Sequence, residues 1–429
     1  MSVSFSKTEC GRGIGLTRIY DDKFKSVSVY IFFVTKINKH NISSNSLISK
    51  LLITSNSKIK SRTALNKELM RLYGSSIAVA STRAGDYQMI GLCSSCLCDK
   101  FTIGREQISG KVTDMLLDCL FSPDIDENGF NEKYFKMRKQ DVIDAVKASV
   151  NDKRGYAIIK ARKEIYKGEP SENSAYGGLD EAVALDNKAL VEEYKELLRT
   201  ARVEIFVAGH SDAEKNVSRI LEAFDNIPRD NIESIDYRAF SPIKPEPLSF
   251  EEKIDANQTK LVMAFKTKYD DIYANKLMAM LFGGAPFSKL FVNVREKLSL
   301  CYYCAAGFAD TKNVMIVDSG TDNENCDKAK EEILAQLEAL ANGDFTDVEL
   351  DNTKLALCTG FKSNNDTVSD MTAWYLTQFT RNEMCSPEEI CERLMTVTRE
   401  QIIEAAAAMK LDTVYVVSPE DKTEAANEN

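Results

Sequence analysis

The order of secondary-structure patterns occurs twice along this chain, and this repeat constrains the fold more than any other sequence feature. Early in the chain, apolar residues alternate with mostly polar ones at Val27, Val29, Ile31 and Phe33. About 230 residues later the same alternation occurs at Leu261, Met263 and Phe265. An apolar residue at every second position predicts a strand with one buried face. A helical pattern follows each strand, at 47–52 and at 277–281.

The later elements repeat in the same order. Strands are predicted at 77–81 with 89–97, and again at 300–307 with 314–319. An amphipathic helix follows each pair, and each half ends in a strand containing Val203–Val207 or Val414–Val416. We therefore predict an α+β protein of two homologous domains, each an antiparallel-dominated sheet with helices packed on one face. The predicted boundaries are an N-terminal domain at 1–228, a proline-containing linker at 229–250, a C-terminal domain at 251–420 and a polar tail at 421–429.

Composition restricts the class of protein. The 429 residues include 55 basic and 65 acidic side chains, a net charge of −10, which argues against nucleic-acid binding. No signal peptide is evident at the start, and the longest apolar run, near Val29–Val34, is far shorter than the roughly 20 residues of a membrane span. Eleven irregularly spaced cysteines fit a reducing compartment. We predict a cytoplasmic protein that binds neither nucleic acid nor membrane.

The chain lacks the residues that several common catalytic motifs require. The chain has two histidines, His40 and His210, and contains neither a His-x-x-Glu-His nor a Gly-x-x-x-x-Gly-Lys motif. The glycine-rich segment 11–15 has no predicted strand before it and is interpreted as a turn. Ser211, between a strand and a helix, resembles a nucleophile elbow, but no histidine follows His210 in the chain. Ser211 or Asp212 is therefore predicted to cap the next helix.

Cysteine pairs offer a second candidate site. Cys93, Cys96 and Cys98, together with Cys301 and Cys304, could in principle supply four thiolates to zinc. However, the two groups lie over 200 residues apart in strand-like segments, unlike structural zinc pairs. Buried cysteine acting as a small apolar residue is the preferred interpretation. No cofactor and no metal are predicted.

The most informative segment is residues 281–302, LFGGAPFSKLFVNVREKLSLCY. It resembles the pitrilysin/insulinase metallopeptidase family, whose C-terminal domains carry a run like LGGG-x-SSRLF-x-x-LREK-x-GLAY. The resemblance implies that Arg295 and Tyr302, at the family's seven-residue spacing, bind substrate main chain. A guanidinium at a helix end and a phenol on the next strand suit peptide carbonyls. The alternative is that Arg295 forms a surface ion pair and Tyr302 fills a strand position.

The catalytic half departs from the family pattern. Active members place His-x-x-Glu-His on the first helix of the N-terminal domain and add a distant Glu. The matching positions in this chain are Ser46, Ser49 and Lys50, with the distant acidic ligand near Asp144. Hydroxyls and an ammonium group cannot replace the imidazoles that bind zinc or the carboxylate that activates its water.

Segment 61–74, SRTALNKELMRLYG, and residues 151–153 resemble the non-catalytic bacterial YfmF-type members of the family. The resemblance implies an accessory subunit without activity of its own, which binds peptide and pairs with an active zinc peptidase homologue. Two alternatives stay open. One is a stand-alone peptide-binding or scaffold protein, for example a homodimer, and the other is a peptidase that uses thiol or other non-zinc chemistry.

Overall fold

A computed structural model describes residues 3–381 and 383–420, so the predicted tail at 421–429 lies outside the described residues. The chain divides into two compact units. The described residues of Met1–Ala148, Asn173–Tyr237 and Asn365–Thr377 form unit 1. Those of Ser149–Glu172, Arg238–Asn364 and Gln378–Asn429 form unit 2.

Unit 1 contains a six-stranded sheet and a short separate hairpin. Its strands in chain order are β1 (Ser4–Glu9), β2 (Ile14–Tyr20), β3 (Ser26–Lys36), β4 (Ser76–Ala84), β5 (Tyr87–Leu97), β6 (Ile125–Asp126), β7 (Gly129–Phe130) and β8 (Arg202–Gly209). The sheet order is β1-β2-β8-β3-β5-β4, and β6 pairs with β7. Only β2 and β8 pair in parallel within the described sheet, with Leu16 opposite Ile205. The other pairs are antiparallel.

Unit 2 contains a five-stranded sheet. Its strands are β9 (Leu248–Ile254), β10 (Thr259–Lys266), β11 (Tyr303–Ala309), β12 (Val314–Thr321) and β13 (Lys410–Pro419). The order is β11-β12-β10-β13-β9. The pair β13 and β9 is parallel, and the other pairs are antiparallel. β9 begins at Leu248, within the segment predicted as a linker; the predicted domain boundaries stay predictions.

The two sheets share one topology. Reading from one edge, β4-β5-β3-β8-β2 in unit 1 corresponds to β11-β12-β10-β13-β9 in unit 2, with the single parallel pair at the same place. This agreement confirms the α+β fold class with antiparallel-dominated sheets. It also explains the repeat in the sequence, since the same element order builds the same sheet twice.

Fourteen α-helices lie in the described part of the chain, and several begin at a recognisable cap. In chain order they are α1 (Asn41–Leu52), α2 (Arg62–Arg71), α3 (Ser109–Phe121), α4 (Glu132–Ala148), α5 (Lys153–Ile165), α6 (Leu179–Ala184), α7 (Asn187–Thr200), α8 (Val217–Asp225), α9 (Ile272–Ala279), α10 (Cys326–Ala341), α11 (Asp347–Lys362), α12 (Val368–Phe379), α13 (Pro387–Thr396) and α14 (Arg399–Ala408). The predicted start of α2 is confirmed, because the Ser61 hydroxyl accepts a hydrogen bond from the backbone nitrogen of Ala64. Capping boxes begin α11, α13 and α14.

Two helices cover the second face of a sheet. In unit 1 the alternating residues Val27, Val29, Ile31 and Phe33 pack in a core with residues of α1, α3 and α7. Phe5, in β1, contacts Tyr375 of α12 at 4.8 Å between ring centroids. In unit 2, Ala157, Ala161 and Ile165 of α5 pack with Val262, Ala264 and Val417 of the sheet. Each of these helices thus belongs to the unit that is built mainly from the other half of the chain.

The glycine-rich segment 11–15 forms the turn between β1 and β2. Gly11 and Gly13 have φ values of 81° and 70°, which a side chain would strain. The expectation that no strand precedes this turn was wrong, because β1 is mostly polar and carries little apolar alternation. No helix within residues 3–381 and 383–420 combines the length and apolar character needed to cross a bilayer.

Candidate functional site

Arg295 lies in the last turn of a π-helix, Leu290–Lys297. A preceding π-helical turn, Met280–Gly284, packs against β11. Glycine is required there, since a Cβ at Gly283 would lie 2.8 Å from the backbone nitrogen of Ala306. The Gly-Gly pair of the sequence motif therefore allows the helical segment to approach the strand closely.

Tyr302 immediately precedes β11. Its backbone nitrogen donates to the carbonyl oxygen of Gly320 at 2.8 Å, which anchors it beside β12. Its side chain is 52% exposed, and the phenol donates to Oδ1 of Asp322 at 3.0 Å. That hydrogen bond, with the negative charge of Asp322, raises the pKa of Tyr302. The phenol is thus a protonated donor at neutral pH.

The structure brings Arg295 and Tyr302 to one cavity. Between them the chain reverses at Ser299, which has a positive φ of 51°. The cavity has a volume of about 390 Å³ and is lined by Arg295, Glu296, Ser299, Leu300, Cys301, Tyr302 and Asp322. The seven-residue spacing of the motif therefore places a guanidinium and a phenol on a shared surface.

Arg295 has two local partners. Its guanidinium carbon lies 4.6 Å from the ring centroid of Phe291, and its Nε lies 3.6 Å from Oε1 of the adjacent Glu296. The ion pair of the alternative interpretation thus exists, but an exposed pair of this kind contributes little to stability. With 40% of its side chain exposed, Arg295 retains guanidinium N–H groups that face solvent.

Cys301 is a functional candidate that the sequence indicated only as one of several possible zinc thiolates. A hydrogen bond from the Cys304 thiol, together with the nearby Ser319 hydroxyl and the charge of Arg295, lowers the pKa of Cys301 to about 7. The pKa of Cys304 is raised by that same hydrogen bond. The Cys-x-x-Cys spacing and the nearby Arg295 were visible in the sequence. Only the bend at Ser299 and the β11–β12 register place these groups together.

The positions that align with the zinc motif do not fit zinc. On α1, the hydroxyl of Ser49 is buried and donates to the carbonyl oxygen of Asn45 at 2.8 Å. Ser46 and Lys50 are half-buried on the same helix and supply a second hydroxyl and an ammonium group. Asp144, on α4, is exposed and accepts a hydrogen bond from Nε2 of Gln140 at 2.8 Å. This donor set offers no imidazole and one carboxylate, so it lacks the ligands of a catalytic zinc site.

The predicted cap at Ser211 or Asp212 was wrong by one residue. His210 is the N-cap of the 3₁₀ helix Ser211–Asn216, and its Nδ1 accepts a hydrogen bond from the backbone nitrogen of Asp212 at 3.1 Å. The imidazole takes the place of the usual hydroxyl or carboxylate here, and His210, which directly follows β8, has a buried side chain.

Comparisons with known proteins relate this chain to inactive metallopeptidases. The family model of the Peptidase M16 inactive domain matches residues 184–357. The chain is 26% identical over 407 residues to the "Probable inactive metalloprotease YmfF" of Bacillus subtilis (strain 168), covering 94% of this chain and 95% of the relative. Together these matches support a non-catalytic member of the peptidase M16 family.

Solved structures extend the M16 likeness to the whole fold. A conserved protein from Enterococcus faecalis V583 is 25% identical with a TM-score of 0.89, covering 97% of this chain and 99% of that one. The peptidase M16 inactive domain from Pseudomonas fluorescens has a TM-score of 0.77 at 16% identity, covering 98% of each chain, and shows the same fold. The predictions of the family and of no independent zinc-peptidase activity are confirmed by the family match and the Bacillus relative.

Proposed function

We propose that this M16-family chain is a non-catalytic subunit that binds extended peptide and pairs with an active zinc peptidase homologue. The main observation in support is that Arg295 and Tyr302 line one cavity of about 390 Å³. Both are accessible, with 40% of the arginine side chain and 52% of the tyrosine exposed. A fork of guanidinium donors beside a phenol suits carbonyl groups of a peptide main chain.

The neighbouring strand supplies main-chain groups for the same peptide. β11 is an edge strand of the described sheet in unit 2, with β12 on its other side. Gly307 is exposed, and a Cβ there would meet nothing within 4 Å. A peptide can therefore add to this edge through backbone hydrogen bonds, which read extended conformation more than side-chain identity. Loose sequence specificity follows.

Charge favours main-chain carbonyls over a C-terminal carboxylate as the group bound. The cavity lining contains one cation, Arg295, and two carboxylates, Glu296 and Asp322, for a net charge of −1. A peptide carboxylate would meet this surplus of negative charge, whereas a neutral carbonyl would not. We therefore expect an internal segment of an unstructured peptide to bind with Arg295 donating to its carbonyl oxygens.

Substitutions at Arg295 and Tyr302 test peptide binding. Losing a charge-assisted hydrogen bond costs about 1.5–3 kcal/mol, so Arg295→Ala should weaken peptide affinity by roughly 10- to 150-fold. Tyr302→Phe should weaken it less, and Arg295→Lys should rescue poorly because an ammonium group cannot form the fork. Affinity is measured by fluorescence anisotropy with a labelled unstructured peptide. Lys297→Ala is the matched control, because Lys297 ends the same helix but lines a different cavity.

Unchanged affinity in both Arg295→Ala and Tyr302→Phe, with melting temperatures equal to that of the parent, would show that the pair is structural. Pairing is tested separately, by co-expressing the chain with an M16 homologue that has an intact zinc motif. A 1:1 complex that cleaves peptide faster than the homologue alone supports the accessory role. A homodimer that forms no complex with the co-expressed homologue would favour the stand-alone peptide-binding function.

Thiol chemistry is the second candidate, favoured by the lowered pKa of Cys301. Among the described residues that line its cavity there is no imidazole to protonate a leaving amine. Incubation of the purified chain with peptide, with and without a chelator and an alkylating agent, separates the chemistries. Hydrolysis that resists the chelator and is abolished by alkylation or Cys301→Ser would favour this candidate.

A further inference from the structure

Three strands of unit 1 bring their carboxyl ends to one edge of the sheet. β3 lies between β8 and β5 and is antiparallel to both, and β2 is parallel to β8, so β2, β5 and β8 run in the same direction. Asp22, Cys98 and His210 follow these three strands. Backbone hydrogen bonds hold the ends together: Cys98 donates to the carbonyl of Lys25, and His210 to that of Ser26, at 2.8 and 3.0 Å.

Three potential metal ligands, Cys98, His210 and Asp212, meet at this edge, and a fourth, Asp22, lies beside His210. Sγ of Cys98 lies 3.4 Å from Oδ2 of Asp212. Nδ1 of His210 lies 3.7 Å from Oδ1 of Asp22 and 3.8 Å from Oδ1 of Asp212. Cys98, His210 and Asp212 each place a ligand atom within 4.8 Å of the others. Zinc ligands at about 2.0–2.3 Å from a tetrahedral ion are separated by roughly 3.3–3.8 Å, which matches these distances.

The hydrogen bonds at this edge show which side-chain atoms are acceptors. Nδ1 of His210 accepts a hydrogen bond from the backbone nitrogen of Asp212 and lies within 3.8 Å of a carboxylate oxygen of both Asp22 and Asp212, so a cation bound by Nδ1 would replace that hydrogen bond. Asp22 accepts a hydrogen bond from the backbone nitrogen of Ser211 at 3.1 Å. Nε2 of His210 is buried and has no hydrogen-bond partner among the described residues. Apart from the Cys98 thiol, which donates to Asp212, the side chains present acceptors to one another, an arrangement that a cation would stabilise.

We propose that Asp22, Cys98, His210 and Asp212 form a structural zinc site at this edge of the unit 1 sheet. Thiolate, imidazole and carboxylate together suit zinc among the common metals. Cys98 and His210 are 0% and 3% exposed, whereas the Asp22 side chain is 52% exposed and leaves an entry path. The ion would tie the ends of β2, β5 and β8 together. This site is separate from the positions on α1 and α4 that align with the family's catalytic motif.

Cobalt substitution tests the site in the full chain. Protein stripped with a chelator and reloaded should bind one equivalent of Zn²⁺ or Co²⁺, and Co²⁺ should produce a thiolate-to-metal charge-transfer band. Cys98→Ser should abolish that band and weaken Zn²⁺ binding, measured by chelator competition, by at least the roughly 10- to 100-fold that loss of an outer-shell partner costs. Zn²⁺ should raise the melting temperature of the parent.

Asp22→Asn keeps the test decisive if Cys98→Ser fails to fold, because Asp22 is exposed and should affect folding little. It should weaken Zn²⁺ binding while keeping the charge-transfer band. Cys93→Ser, on the same strand, and Asp225→Asn, also exposed, are matched controls that should bind like the parent. The proposal is overturned if the parent binds no stoichiometric metal, because His210 would then serve only to cap the 3₁₀ helix. It is also overturned if Cys98→Ser binds metal as tightly as the parent does.

Discussion

Cys301 has a chemical environment unlike that of the other half-buried thiol in the chain, Cys93. The Cys304 hydrogen bond lowers the pKa of Cys301 to about 7, whereas burial raises the pKa of Cys93. An acid with a lowered pKa is ionised above that value, so Cys301 is thiolate to a greater extent near neutral pH than a cysteine with its ordinary pKa. The thiolate is the reactive form of cysteine.

We expect Cys301 to be alkylated fastest of the two, with a rate that rises to a plateau through a midpoint near pH 7. Cys304→Ala should raise that midpoint because it removes the principal hydrogen bond, and Arg295→Gln should raise it by less. Peptide mass spectrometry after timed iodoacetamide treatment at several pH values measures both thiols, with Cys93 as the internal control. A Cys301 midpoint that stays near pH 9 in the parent would contradict this assignment.

At the same scale, the sequence predicted the pair Arg295 and Tyr302 because a short, ordered motif carries both residues. It could not predict the partners of Cys301 and Tyr302, since Ser319 reaches Cys301 and Asp322 reaches Tyr302 through the pairing of β11 with β12. The cap at His210 was missed for a similar reason. Its imidazole accepts the capping hydrogen bond where the chain leaves β8, and its side chain is buried there.

Strand β8 contains a buried acidic residue, Glu204, that is 0% exposed. Burial raises its pKa to about 7, although Arg202 donates to it at 2.5 Å and opposes this rise. The folded state therefore binds the proton more tightly than the unfolded chain. Its contribution to stability is full below pH 4.5 and is lost as the pH rises through 7.

We expect the parent to lose up to about 3 kcal/mol of unfolding free energy between pH 4.5 and 8 through this group. Glu204→Gln should remove that loss, so the unfolding free energy of the variant should rise relative to that of the parent as the pH increases. Urea unfolding at pH 5 and pH 8 measures the difference. Glu9→Gln is the control, because Glu9 also pairs with Arg202 but has an exposed side chain, and it should keep the slope of the parent. Equal slopes in the parent and Glu204→Gln would rule out the raised pKa.

Elements with strong periodicity were predictable. β3, β10, α3 and α10 each bury one regular apolar stripe, and their predicted positions agree with the structure. β1 and β9 were not predicted, because they are edge strands with mostly exposed residues and little apolar alternation. β2 was also not predicted, although it is an inner, mostly buried strand. The segment with the prolines was interpreted as a linker for the same reason, although β9 begins within it.

The whole molecule is not divided simply into halves of the chain. Unit 2 needs α5, from residues 149–172, and unit 1 needs residues 365–377. Without α5, a fragment of residues 238–429 would expose the sheet face that contains Val262, Ala264 and Val417, which are now at most 2% exposed. Exposing such an apolar face promotes aggregation.

We expect fragments 1–237 and 238–429 to be insoluble or to bind a hydrophobic dye when each is expressed alone. Co-expressed, they should assemble into a soluble complex, because the helices each unit lacks are then supplied by the other fragment. Size-exclusion chromatography and dye fluorescence measure both outcomes. A soluble monomer of 238–429 that melts cooperatively on its own would show that α5 is dispensable for unit 2.

By itself, the sequence determined the repeated element order, the strands and helices that bury a regular apolar stripe, the Arg295/Tyr302 motif and the absence of zinc ligands on α1. These features depend on residues close together in the chain, where periodicity and motif spacing are informative. Tertiary structure alone decided that α5 and α12 cover sheets of the other half, that Cys301 meets Cys304 beside Arg295, and that Asp22, Cys98 and His210 share one edge. Those contacts join distant segments, and the order and direction of the strands, which no local pattern encodes, determine which segments meet.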